Sequence, residues 1–172
     1  MSNGPLPIRV DPRKLAERAV RLSGETALGN MPNLCQALAD KEGAITVDLQ
    51  FDVDQQGIRT ISGEAHGSVN MICQRCLEPA SVAVEAEFNL GIAASEEAAK
   101  NLPRSYDPLI VEGEEIELLP VIEEELILSL PYDAYHEDCS VQTSFGDAEA
   151  VAKDNEKPNP FSVLAQLKAD NK

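Results

Sequence analysis

Ile45-Thr46-Val47-Asp48-Leu49-Gln50-Phe51-Asp52-Val53-Asp54-Gln55-Gln56-Gly57 alternates apolar and polar side chains as far as Val53 and then breaks into a polar, glycine-ended turn. Period-2 alternation is the mark of a strand with one buried and one wet face, so Ile45, Val47, Leu49, Phe51 and Val53 are expected to face a core. The returning strand starts at Ile58 and carries Gly63, Ala65 and Gly67 at alternate positions. One of its faces therefore has little side chain and admits a close neighbour such as a packed helix or a bulge. His66 falls on the other face with Glu64 and Ser68 and reads as a surface residue. A third strand follows, with Val82, Val84, Ala86, Phe88 and Leu90 inward and Glu85, Glu87 and Asn89 toward water. Three strands in succession make an antiparallel meander.

Between the second and third strands lies Met71-Ile72-Cys73-Gln74-Arg75-Cys76-Leu77-Glu78-Pro79, a CxxC at a hairpin tip. Redox CxxC chemistry requires the first cysteine at a helix N-terminus, where the dipole lowers the thiol pKa, and no helical pattern follows Cys76. A knuckle is the better reading. His136-Glu137-Asp138-Cys139 repeats the two-residue gap with a second pair of soft donors. If folding brings the pairs together, Cys73, Cys76, His136 and Cys139 compose a Cys3His zinc site; the alternatives are reduced structural thiols or redox use. Cys35, beside Leu34 and Leu38, reads as a small core residue.

The chain holds 14 Lys+Arg against 30 Asp+Glu, a net charge of −16, the wrong sign for a general binder of phosphate backbone. The charge is uneven. Residues 1–22 contain Arg9, Arg13, Lys14, Arg18 and Arg21 against Asp11 and Glu17, a balance of +3 that leaves −19 on the remainder. An acidic body suits a basic partner, while a short basic arm can touch RNA. Asp11 as N-cap and Pro12 at the first helical position begin a helix with Leu15, Ala19 and Leu22 on one face. Lys14, Arg18 and Arg21 then share the opposite face, either as a solvated surface or, with Arg13 and with Arg75 at the hairpin tip, as contacts to RNA or a partner. A second short helix is expected over residues 33–39, burying Leu34 and Leu38.

Residues 95–108 read as a polar connection, Leu109 to Val111 as a short strand, and Glu112 to Glu115 as a turn. Pro120 fits the first position of a helix that opens with Glu123, Glu124 and Glu125, buries Ile122, Leu126 and Leu130, and is stopped by Pro131. Adjacent helical residues point about 100° apart, so the three acids cannot converge on one ion, and acids at a helix start explain them without catalysis. No phosphate-binding glycine loop, nucleophile elbow or HExxH is present. Past Ser140 the chain is acidic and aperiodic, which reads as a flexible linker. Asn159-Pro160 then caps a short helix whose anchors Phe161, Leu164 and Leu167 dock on the body or serve as a binding motif.

Four blocks, in order, resemble the YceD family of bacterial large ribosomal RNA subunit accumulation proteins. They are Cys73-Gln74-Arg75-Cys76-Leu77-Glu78-Pro79, Tyr106-Asp107-Pro108-Leu109-Ile110, the run from Val121 to Pro131, and Lys157-Pro158-Asn159-Pro160-Phe161-Ser162-Val163-Leu164. Some family members carry additional cysteines near the C-terminus, where this chain has Cys139 alone. The resemblance implies a cytoplasmic, non-enzymatic factor supporting synthesis, processing or stability of 23S ribosomal RNA. Its expected partners are a large-subunit RNA precursor or a basic ribosomal or assembly protein. The other reading is a small zinc- or thiol-dependent interaction module unrelated to ribosomes. Four cysteines, no signal pattern and no apolar run near about 18 residues fit a soluble chain in a reducing compartment. Neither a membrane nor a small-molecule substrate is expected.

The expected architecture is α+β, an antiparallel meander packed with N-terminal and central helices. Residues 1–139 form the single domain, with 1–42 a helical N-terminal region, 43–92 the meander with its CxxC hairpin, and 109–131 a strand and a helix. Residues 140–158 are the flexible acidic linker and 159–172 the C-terminal anchor helix.

Overall fold

In this computed structural model, which describes residues 2–3 and 5–141, the alternating segment is β4 (Ala44–Val53), the third strand of a six-stranded sheet. Its neighbours are β3 (Arg21–Ala27) and β5 (Arg59–Ile72), followed outward by β1 (Ser2–Asn3) on one side and by β6 (Pro79–Ala93) and β7 (Asp107–Ile110) on the other. The four central strands are antiparallel, and the edge strands β1 and β7 add in parallel. Arg9–Val10 (β2) pairs with Ile116–Glu117 (β8) in a separate two-stranded ribbon. With helices α1 (Pro12–Glu17), α2 (Glu96–Ala99) and α3 (Leu118–Ser129), the fold is α+β, as the sequence pattern required.

The register aligns the apolar positions of three strands on one face. Val47 lies opposite Ala65 and Ala65 opposite Ala86, while Phe51 lies opposite Ile61 and Ile61 opposite Leu90. All six are buried, and Ile122, Leu126 and Leu118 of α3 close over them in one contiguous core. Burying a Val, Ile, Leu or Phe side chain contributes about 1.5–3 kcal/mol, so this face is a large source of the fold's stabilisation. Val53, expected inward, is exposed at the strand's end. The close neighbour of the glycine face is β4 itself rather than a helix. Gly63 sits opposite Leu49 and Gly67 opposite Ile45, and a Cβ on either would collide with those side chains and with the carbonyls of Asp48 and Ala44.

The N-terminal region departs from expectation. Asp11 does cap α1, its Oδ1 accepting from the Lys14 amide at 3.0 Å, with Pro12 in the first turn. The helix then ends at Glu17 in a Schellman arrangement: Val20 N donates to Leu15 O at 3.1 Å, Ala19 N donates to Ala16 O at 3.0 Å, and Ala19 takes φ 49°. An alanine in the left-handed position hides this stop from a search for glycine. Arg21 and Leu22 consequently belong to β3, and Lys14, Arg18 and Arg21 share no helical face. The helix expected over 33–39 is a single 3-10 turn, Leu34–Gln36, with Leu34 buried.

Pro120 is the third residue of α3, not the first, which moves Glu123–Glu125 beyond the opening turn. Glu123 points inward, is 2 % exposed, and accepts from Leu34 N at 2.8 Å and Asn33 Nδ2 at 3.1 Å. It caps the neighbouring 3-10 turn rather than complementing its own helix. The linker beyond residue 141 and the anchor residues Phe161, Leu164 and Leu167 lie outside the described residues. No described helix is long and apolar enough to cross a membrane.

Candidate functional site

The β5–β6 hairpin ends in Cys73 to Glu78, closed by Cys73 N donating to Glu78 O at 2.9 Å and Leu77 N donating to Cys73 O at 3.0 Å. Leu77 holds φ 65°, an uncommon conformation for a bulky residue that turns the chain back into β6. The segment after α3 runs alongside this tip. Ala134 forms a parallel bridge with Cys73, and its carbonyl accepts from Gln74 N at 2.9 Å. That pairing delivers His136 and Cys139 to Cys73 and Cys76.

The four donor atoms lie within 4.8 Å of one another. Cys73 Sγ is 3.6 Å from Cys139 Sγ, and Cys76 Sγ is 3.2 Å from His136 Nδ1. A tetrahedral zinc bound through sulfur separates its sulfurs by roughly 3.8 Å, so the arrangement has the scale of such a site, and three thiolates with one imidazole are a donor set that suits zinc. His136 Nε2 donates to Pro79 O at 2.9 Å, which leaves Nδ1 as the free ligand atom. Cys73 is fully buried. Burial disfavours its charge, but the backbone N–H groups of Cys76, His136 and Arg75 act against burial and bring the thiol down to about 5. Burial, reinforced by the sulfurs of Cys73 and Cys76, pushes the Cys139 thiol up. The cluster therefore favours one thiolate already formed, with further protons released on binding a cation.

Arg75 lies within this structure. Its Nη1 donates to Cys139 O at 3.1 Å and its guanidinium stacks over Tyr135, 5.5 Å from the ring centroid. It braces the two chain segments that carry the donors. Tyr135 was not singled out by sequence, because one aromatic in an aperiodic loop gives no signal before its partner is known.

The N-terminal cations go separate ways. Arg13 donates to Gly113 O at 2.7 Å and also to Val111 O, fastening α1 to the turn before β8. Arg21 pairs with Asp48 at 3.3 Å. Lys14 pairs with Asp11 at 2.8 Å, and Arg18, exposed at the C-cap of α1, has no carboxylate within 4.0 Å among the described residues.

Residues 61–168, which include both donor pairs, match the family described as "Large ribosomal RNA subunit accumulation protein YceD". The chain belongs to the YceD family. A YceD relative from Haemophilus influenzae, named "Large ribosomal RNA subunit accumulation protein YceD", is 38% identical over 170 residues, covering 95% of this chain and 96% of its own length. No solved structure matches the chain. The matched YceD region begins inside β5 and so excludes α1, β3 and β4, although the relative's similarity covers them too.

Proposed function

We propose that this protein is a non-enzymatic cytoplasmic factor that supports synthesis, processing or stability of 23S ribosomal RNA during large-subunit assembly. The observation that carries the reading is likeness over nearly the whole chain to a relative named for large-subunit ribosomal RNA accumulation. The protein works by binding. Its basic protein partner, a ribosomal or assembly protein, is met by the solvent face of the sheet. There Asp48, Glu64 and Glu87 stand side by side across three strands, balanced by Arg21 on Asp48. Like charges directly opposed across strands are unfavourable, and a cationic partner relieves that repulsion. Glu123, the first acid of the run in α3, has the structural task of holding Leu34 and Asn33, which supports a role without catalysis.

Cys73, Cys76, His136 and Cys139 hold a zinc ion in this reading. The ion, when bound, supplies a cross-link between hairpin tip and C-terminal loop without chemistry on a substrate. Metal content after purification without chelators tests this: about one zinc per chain is expected, and equal metal in wild type and Cys73→Ser removes these residues as ligands.

Depletion of the protein in its native cell tests the ribosomal role. Mature and precursor 23S are measured against 16S ribosomal RNA, with subunit profiles on a gradient. Selective loss of 23S or accumulation of immature large subunits is expected, and unchanged ratios under full depletion overturn the reading.

A further inference from the structure

A cavity of about 340 Å³ opens between the ribbon strand β2, helix α1 and the start of β3. Its apolar wall comprises Pro7, Val10, Leu15 and Leu22, its cations are Arg9, Lys14 and Arg18, and Asp11 is the one acid in the lining. Three positive side chains around one apolar hollow stand out in a chain whose net charge is −16. The early end of α1 brings them together. Because the chain turns at Ala19, Leu22 swings into β3 and becomes a wall of the hollow, while Lys14 and Arg18 remain beside it. Arg9 arrives from the far side on β2, a contribution that a helical-face reading of residues 12–22 could not include.

We propose that this cleft binds one nucleotide of single-stranded RNA, the base against Val10, Leu15 and Leu22 and the phosphate among Arg9, Lys14 and Arg18. The inference deepens the ribosomal reading above and rests on it for the choice of nucleic acid. Size and chemistry define the occupant: the hollow has the volume of a small-ligand site, too small for a docked helix, and joins a flat apolar surface to clustered guanidinium and ammonium groups. Unpaired bases are the part of RNA that proteins can shelter in this way, with an arginine plane covering the exposed face of the base.

Carboxylates nearby engage two of the three cations, for which a phosphate has to compete, while Arg18 has no carboxylate within 4.0 Å among the described residues. Asp11 is occupied by the amide and ammonium of Lys14. Glu117 pairs with Arg9 at 3.1 Å, but both side chains are more than half exposed, so the pair is weak and a phosphate can replace it. Glu114 and Glu115 act on Lys14 from further away. With an acidic body behind the site, RNA is held by short-range contact rather than by long-range attraction, and the affinity is on the order of micromolar at low salt.

Fluorescence anisotropy of the full chain with a fluorescein-labelled ten-nucleotide single-stranded RNA tests the site. The combined Arg9→Gln, Lys14→Gln, Arg18→Gln variant should bind at least tenfold more weakly. Arg18→Gln alone, which breaks no ion pair seen among the described residues, should lose about threefold, and Arg104→Gln, outside the cleft, nothing. Three phosphate-directed cations predict a slope of log affinity against log salt near −2. Duplex RNA of equal length should bind several-fold more weakly, since its bases are not free to enter.

Affinity within twofold of wild type in the folded triple variant overturns the proposal, as does the absence of RNA binding by wild type. Cleft-dependent binding of a decaglutamate peptide, tighter than that of RNA, overturns it in favour of an acidic protein segment. Depletion separates this inference from its parent. Normal 23S levels without the protein overturn the ribosomal reading whatever the cleft binds, whereas loss of 23S together with equal RNA binding by wild type and the triple variant overturns the cleft alone.

Discussion

The inner face of the sheet and the tip of its longest hairpin belong to the same two strands, β5 and β6, yet they are held by different forces. Along the inner face, Ile61, Ala65, Val84, Ala86 and Leu90 are buried against β4 and α3, and each contact is one of many that together exclude water. At the tip, a few directional interactions do the work: four donor side chains, a parallel bridge to Ala134 and the Arg75 brace. Burial of this kind is redundant, whereas directional contacts fail singly. Damage to the core should therefore appear as global loss of stability, and damage to the tip as local loosening.

The largest effect is expected in the core. Phe51 is the largest fully buried side chain among the described residues, and Phe51→Ala should cost about 3–5 kcal/mol in denaturant unfolding. A cost below about 1 kcal/mol would mean that the sheet face is not the centre of stability. Next comes Glu123→Ala, which leaves the Leu34 amide and Asn33 without their acceptor and should cost about 2 kcal/mol by the same measurement. Cys73→Ser should barely change hydrogen exchange along β4 while accelerating it at residues 73–79 and 134–139; uniform acceleration would join the two regions into one cooperative unit.

The smallest effect concerns pH. In metal-free protein the Cys73 thiol, at about 5, ionises well below the ordinary thiol value of 9.0. Between those values the unfolded chain holds the proton that the folded one has released. This group's contribution to stability therefore rises from pH 5 toward 9 and is lost as pH falls through 5. Near neutrality the folded, metal-free protein should also show thiolate ultraviolet absorbance that Cys73→Ser removes; its full persistence in that variant would contradict the hydrogen-bonding pattern around this sulfur.

Legibility in the sequence followed the range of the interaction. The meander could be read because alternation from Ile45 to Val53 and from Val82 to Leu90 is a local record of a buried face. The four donors could be named because CxxC and HxxC spacing is local as well, although their meeting depends on Ala134 pairing with Cys73. β3 was hidden because Arg21–Ala27 carries no alternating apolar pattern and becomes a strand by pairing with β4. The β2–β8 ribbon was hidden for the same reason, its partners Arg9 and Glu117 lying 108 positions apart. Arg13, Arg21 and Arg75 were legible as cations but not as to where they point, because Val111, Asp48 and Cys139 become their neighbours through the tertiary fold.

The distance along the chain between the two donor pairs has a consequence for synthesis. Cys76 and His136 are separated by 60 positions, so the hairpin leaves the ribosome with both its thiols well before the second pair exists. At roughly 5–20 residues per second that interval is about 3–12 s. During it, the nascent protein carries an open pair of soft donors, because the segment behind α3 that meets the hairpin tip has yet to be made.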